Sequence, residues 1–391
     1  MSIKILSKKM LAIVAAGAMT MGLAMPVFAE GADTTNNAKE AYISKTYNTE
    51  VNKPMKFNFT ATQVKAGDYI VTDDVACTIP SIEFKETDFN SNAGTYKKLS
   101  DKITFATFPQ AGKYEYTVKE SATTEPTITN SKHQKLIMSQ AEYKMDVYVV
   151  ENAGTLAIDK IIVNKTKDDN NGPATGKVDI GADVNGNRFN FVNTYVQEAG
   201  TGTDPSNPGT GPDDDYTKYG SLNVSKKIDA QDGTVDSDAT FNFTAKFEFP
   251  TGTDVKTLEA KAGNKTLTLD GDGQHTFTLK HNENMKYTGL PVGTKITVTE
   301  TGVANYKGSA SVVLNGGDAK NVTVAKYHDN LVAVNGDKLG QNKNTVDVTN
   351  TYNYVPTTGI IMNTLPYVLM IALCGAALMA FVAFKRRRLQ K

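Results

Sequence analysis

The 391-residue chain has no tryptophan, four histidines and two cysteines, and its 42 basic residues balance 42 acidic ones. Each scarcity excludes something. His133, His275, His281 and His328 are scattered without metal-ligand spacing, and no Gly-rich phosphate loop stands between a strand and a helix. Cys374 falls in an apolar C-terminal run, so Cys77 is alone in the rest of the chain and has no disulfide partner there. Without a base or triad around it, Cys77 reads as a small buried apolar residue. The aromatics, 17 Tyr and 16 Phe, suit strand cores better than a carbohydrate platform. Lys165-Thr-Lys-Asp-Asp-Asn-Asn-Gly172 carries acids but lacks the terminal Glu of a calcium loop, and reads as a turn. Nothing here implies a metal, a cofactor or an enzyme active site.

The two ends carry targeting patterns. Met1 to Ala29 has lysines at 4, 8 and 9, an apolar stretch from Met10 to Met25 and Val-Phe-Ala before the break, which predicts a secretory signal peptide cleaved after Ala29. At the other end Val355-Pro356-Thr357-Thr358-Gly359 precedes an uncharged run, 360–384, and a basic tail, 385–391. At 1.5 Å per helical residue that run is long enough to cross about 30 Å of hydrocarbon, with the basic tail left in the cytoplasm. The pentapeptide resembles the LPxTG-type sorting motif of Gram-positive surface proteins, with Val in place of the leading Leu. That resemblance implies a sortase that cuts after Thr358 and joins its carbonyl to an amine. The two processed ends hold eight of the 42 basic residues and no acidic one, which leaves 34 against 42, a net charge of −8. An acidic exterior argues against nucleic acid as a partner.

Between the ends, short alternating runs rich in Thr, Val, Ile, Tyr and Phe recur, among them Phe57-Asn-Phe-Thr, Tyr114-Glu-Tyr-Thr-Val, Met145-Asp-Val-Tyr-Val-Val, Leu222-Asn-Val-Ser and Ile296-Thr-Val-Thr. The chain is therefore expected to be all-β. A stretch of Gly, Pro, Asp and Thr, 197–218, has almost nothing apolar and reads as a linker outside any core. It separates two β-sandwich domains, 41–196 and 219–354, the first preceded by a short segment, 30–40.

The halves are related. Phe57-Asn-Phe-Thr-Ala61 recurs as Phe241-Asn-Phe-Thr-Ala245, Thr117-Val-Lys-Glu120 is echoed by Thr297-Val-Thr-Glu300, and Asn193-Thr-Tyr195 by Asn350-Thr-Tyr352. Strand alternation puts Lys226 on the apolar face of Leu222, Val224 and Ile228, Glu300 on that of Ile296 and Val298, and Asn350 on that of Val346 and Val348. Lys45, Glu120 and Asn193 follow the same rule beside Ile43, Tyr116 with Val118, and Phe189 with Phe191. Three polar residues thus point into each interior. Burial lowers a lysine pKa and raises that of a glutamate, so the pair can rest as free amine and neutral acid. The amine can then attack the Asn side-chain carbonyl, polarised by the protonated Glu, with loss of ammonia.

With these triads the domains resemble the intramolecularly cross-linked, immunoglobulin-like Cna B-type sandwiches of Gram-positive pilins, and the whole chain is similar to the two-domain streptococcal backbone pilins. The resemblance implies isopeptide bonds Lys45–Asn193 and Lys226–Asn350, promoted by Glu120 and Glu300. It implies polymerisation by a class C-type pilin sortase onto a lysine late in the first domain of another copy. Lys177 is the first candidate, with Lys165 and Lys167 next. It further implies minor pilins, a housekeeping sortase that ties a basal subunit to peptidoglycan, and a location on the cell surface. The alternative is a monomeric wall-anchored adhesin, or a minor tip or base pilin, with the same domains as a stalk.

Overall fold

The computed structural model describes residues 38–89, 94–202, 213–231, 233–353 and 357–388. The expected signal segment with Ala29, and Val355 and Pro356 of the pentapeptide, lie outside them.

Alternation of apolar and polar residues decides the architecture. In the strand Gly112–Glu125, Tyr114, Tyr116 and Val118 are fully buried while the residues between them are not. The strands assemble into two tandem immunoglobulin-like β-sandwiches. In the first, a four-stranded sheet of Thr95–Leu99, Ser44–Asn48, Asn190–Gln197 and Gln134–Ile137, in that order, faces a six-stranded sheet. The second sheet runs Lys177–Val178, Thr155–Lys167, Glu142–Asn152, Gly112–Glu125, Met55–Gln63, Ile82–Phe84. Between the layers Tyr47, Phe57 and Phe84 pack edge-on or tilted, with ring centroids 5.3 to 6.0 Å apart. Each such buried ring contributes about 1.5–3 kcal/mol by removal from water.

The second sandwich is built alike. Its seven-stranded sheet contains Leu222–Asp229, Thr345–Tyr352 and Tyr306–Val313 side by side, and its four-stranded sheet runs Gln274–Leu279, Phe241–Glu248, Lys295–Glu300, Leu331–Lys338. In both domains the first strand lies against the last, in parallel: Ser44–Asn48 beside Asn190–Gln197, and Leu222–Asp229 beside Thr345–Tyr352.

The first described residues of the 197–218 segment, 197–202, depart from its reading as a linker outside any core. Gln197, Glu198, Ala199 and Thr201 are buried, and a short helix, Asp214–Tyr219, follows. The reason is polar. The Glu198 carboxylate accepts hydrogen bonds from His133 Nδ1 at 2.5 Å, Tyr216 Oη at 2.8 Å, Ser221 Oγ at 2.7 Å and the Gly289 N–H. Backbone bonds from Ala199 N to Leu290 O and from Val292 N to Gln197 O, and a Glu50–Lys338 ion pair at 2.7 Å, complete a joint between the domains. Gly200, at φ +76°, is required there, because a Cβ would collide with the Gly220 carbonyl.

Cys77 is half-buried, and burial pushes its thiol up to about 12. The C-terminal apolar run falls within a helix, Thr357–Arg388. Among the described residues no helix is long and apolar enough to cross a membrane, and the expected span 360–384 rests on the sequence.

Candidate functional site

Each sandwich holds a buried polar cluster between its layers. In the first, Lys45 comes from the first strand, Asn193 from the last, and Glu120 from the facing sheet. Lys45 Nζ donates to Glu120 Oε1 at 2.7 Å, and Asn193 Nδ2 donates to the same oxygen at 2.9 Å. The side chains of the ion pair are 0% and 1% exposed. In the second domain Lys226 Nζ and Asn350 Nδ2 converge on Glu300 Oε1 at 2.7 and 2.8 Å. All six triad residues are therefore gathered into two arrangements with the same Lys–Glu–Asn contacts.

The repeated Phe-Asn-Phe-Thr-Ala motif supplies the floor. Lys45 Nζ stands 4.3 Å from the centroid of Phe57, and Lys226 Nζ 4.0 Å from that of Phe241, the first residue of the motif in each copy. A ring face attracts the ammonium form but supplies no polar N–H or O–H donor, so it leaves the lone pair of the free amine unengaged.

Electrostatics follow from burial. Removal from water lowers the Lys45 and Lys226 ammonium groups to about 8, against the opposing pull of Glu120 and Glu300. The same burial raises both glutamates above the ordinary carboxylate range, with the lysine opposing. Burial thus shifts the amine down and the acid up, which lessens the cost of passing a proton between them.

The expected hydrogen bond from each glutamate to the asparagine carbonyl is corrected by this geometry. Both glutamates face the amide nitrogen instead. Asn193 Oδ1 turns away and accepts the Ser139 main-chain N–H at 2.8 Å, whereas Asn350 Oδ1 is buried with no hydrogen-bond partner among the described residues. Ser139 is itself tied by Oγ to Asp169 Oδ1 at 2.6 Å, and that oxygen also accepts the Val192 N–H at 2.8 Å. Asp169 and Ser139 were illegible in the sequence, since Asp169 sits in a turn and Ser139 in an irregular connection between strands, neither with periodicity. In the second domain Gly308 stands opposite Asn350, and a Cβ there would lie 3.3 Å from Asn350 Oδ1 and 3.2 Å from Leu331 Cβ.

Of the candidate acceptor lysines, Lys177 is exposed on the two-residue edge strand Lys177–Val178. Lys165 pairs with Asp169 at 3.1 Å and lies over the Tyr143 ring, and Lys167 pairs with Glu142 at 3.5 Å. Thr357, Thr358 and Gly359 fall at the start of the C-terminal helix.

Residues 220–352 match a family model described as a domain of unknown function (DUF7601). Over 119 residues the chain is 33% identical to the pilus tip adhesin Cpa of Streptococcus pyogenes, a match that covers 30% of this chain. The chain spans only 16% of the length of that curated relative. Among solved structures it is similar to a major pilin of Streptococcus pyogenes, at 19% identity and a TM-score of 0.32 over 81% of this chain and 99% of that one. The major pilin T-13 of the same organism gives 19% identity and a TM-score of 0.30 over 81% and 98%.

Proposed function

We propose that the chain is a structural shaft subunit of a covalently polymerised cell-surface pilus, each domain of which closes its own Lys–Asn isopeptide bond. The observation that carries this reading is the recurrence, in both domains, of a buried Lys and Asn on adjacent parallel strands with a Glu bridging their nitrogens. A structural ion pair needs no asparagine, and a buried lysine lowered to about 8 supplies free amine, the nucleophilic form, far more readily than an ordinary lysine. The neutral Nζ attacks the Asn Cγ, its surplus proton passes through the glutamate to Nδ2, and the C–N bond breaks to release ammonia, leaving one secondary amide. A cleft of about 260 Å³ lined by Glu120, Met138 and Ser139 offers ammonia a way out of the first domain.

Assembly is inferred from the sorting pentapeptide. A class C-type pilin sortase would join the Thr358 carbonyl to a lysine of the next copy, and a housekeeping sortase would attach a basal subunit to peptidoglycan, with minor pilins completing the fibre. The exposed, edge-strand position of Lys177 supports it as acceptor over Lys165 and Lys167, whose amines are engaged by Asp169 and Glu142. A second reading, a wall-anchored adhesin or minor tip or base pilin, is favoured by the similarity to a tip adhesin.

Immunoblots of wall extracts separate the two. A ladder of detergent-resistant multimers, lost on Lys177→Arg, is expected of a shaft subunit; a single anchored band excludes it. Intact mass of the exported part tests the bonds independently, with loss of two ammonia masses expected in the parent and of one in Glu120→Ala or Glu300→Ala.

A further inference from the structure

The two triads differ at one atom, the asparagine carbonyl oxygen. In the first domain the strand Gln134–Ile137, which flanks the asparagine strand, stops at the pairing of Ile137 with Thr194. The chain then crosses beside Asn193, and the Ser139 N–H donates to Asn193 Oδ1 instead of to a ladder partner. Because a main-chain N–H is a donor only, this contact fixes which end of the amide faces it and turns Nδ2 toward Glu120. In the second domain the flanking strand Tyr306–Val313 runs on past Asn350 to pair Tyr306 with Tyr352, and Asn350 Oδ1 is left with no partner among the described residues.

Asp169 holds this arrangement together. Its Oδ1 accepts both the Ser139 hydroxyl and the N–H of Val192, the residue before Asn193, so one oxygen fixes donor and acceptor relative to each other. Ser139 is buried, and its hydroxyl in turn accepts the Ala141 N–H.

Resting on the cross-linking reading above, we propose that the Ser139 main-chain N–H is the carbonyl-activating group of the first-domain reaction and that Asp169 is its positioning residue. As Lys45 Nζ bonds to Cγ, the carbonyl π electrons move onto Oδ1, where the Ser139 N–H meets the developing charge. Glu120 Oε1, already shared by the attacking and leaving nitrogens, takes a proton from Nζ and delivers one to Nδ2. The C=O re-forms as the C–N bond breaks, and ammonia leaves with the electron pair. Carbonyl activation and proton transfer are thus divided between two groups in the first domain. Among the described residues the second domain offers only Glu300 to its asparagine, and it closes more slowly.

The test is pulse-labelled cell-free synthesis of the full chain, quenched at intervals in acid denaturant, with the cross-linked peptide of each domain quantified by mass spectrometry. A single preorganised donor to an oxyanion changes rates on the order of a hundredfold, so the first domain of the parent is expected to close at least about tenfold sooner than the second. Asp169→Ala slows the first domain by a similar factor while the second, in the same chain, keeps its rate. Asp169→Asn, whose carbonyl oxygen can still accept both bonds, restores closure, and Ser139→Ala, which keeps the N–H but loses the tether, gives an intermediate rate. Closure of the first domain at the parental rate in both Asp169→Ala and Ser139→Ala, or a second domain that closes first, overturns the proposal. If neither domain of the parent loses ammonia, the cross-linking reading itself falls, and this inference with it.

Discussion

Lys45 stands opposite Phe191 in the parallel ladder, two residues short of Asn193, and Lys226 stands opposite Val348, two residues short of Asn350. Two residues along a strand bring a side chain back to the same face about 6.6 Å further on. A lysine leaning along its strand can close that gap, while an offset of one would send the asparagine to the opposite face. The same offset in both domains, under a glutamate from the facing sheet, is why the same Lys–Glu–Asn contacts recur.

Asn350→Ala keeps the Lys226–Glu300 pair but removes the electrophile. On the chain-entropy account of cross-links, loss of a bond closing a loop of more than a hundred residues costs about 4 to 5 kcal/mol. Calorimetry should show the second domain melting at a markedly lower temperature and the first unchanged. An unaltered second transition would mean that no bond was there to lose.

Glu300→Ala should be worse than Asn350→Ala. It forfeits the bond and also strands Lys226 in an apolar interior without its carboxylate, for which an added penalty of about 3–5 kcal/mol is typical. Denaturant titration of the two variants side by side checks the order, and equal midpoints would contradict it.

Closure should have a bell-shaped pH profile. Reaction needs one proton between the lysine and the glutamate: two protons block the amine, and none leaves no acid for the departing nitrogen. The alkaline limb is expected near pH 8, where Lys226 and Lys45 lose their proton, and the acid limb above the ordinary carboxylate value because burial raises both glutamates. Ammonia release measured after synthesis at stepped pH reads both limbs, and a rate that keeps rising beyond pH 9 would rule out the shared-proton scheme.

The uncross-linked fold should gain stability as pH rises above 8. In the parent fold burial lowers Lys226 to about 8 from its ordinary 10.5, and Asn350→Ala leaves both the burial and the Glu300 partner in place. Between those values the unfolded chain binds more protons, so raising the pH favours the folded state. Unfolding free energies at pH 8 and 9.5 should show the increase, and it should vanish when Lys226→Met is added.

Glu198→Ala should loosen the joint between the domains. It removes the acceptor of four donors, His133, Tyr216, Ser221 and the Gly289 N–H. Each buried donor left unmet costs about 1–3 kcal/mol. Small-angle scattering should report a broader range of interdomain distances while both ammonia losses persist; an unchanged scattering profile would show that the backbone bonds suffice.

Much of the site was legible because strand alternation is a strict rule. Glu300 follows Ile296 and Val298 on one face, and Asn350 follows Val346 and Val348, so burial could be read two residues at a time. The repeats supplied the rest, although the role of Phe57 and Phe241 beneath the lysines emerges only across the layers. What sequence could not yield are contacts made by main-chain atoms and by turns. The Ser139 N–H has no side-chain signature, Asp169 sits in a run of acids and amides that reads as an ordinary turn, and Glu198 opens a segment whose composition suggests solvent. The difference between Asn193 and Asn350 depends on where a neighbouring strand happens to end.

With both bonds closed, a subunit pulled by its ends could lengthen only where no clamp spans the chain. Between the strands that carry Asn193 and Lys226 that is residues 198–221, about 80 Å if drawn fully straight. The Glu198 joint folds part of that length away, so it would act as a small reserve of extension that yields before any sandwich does.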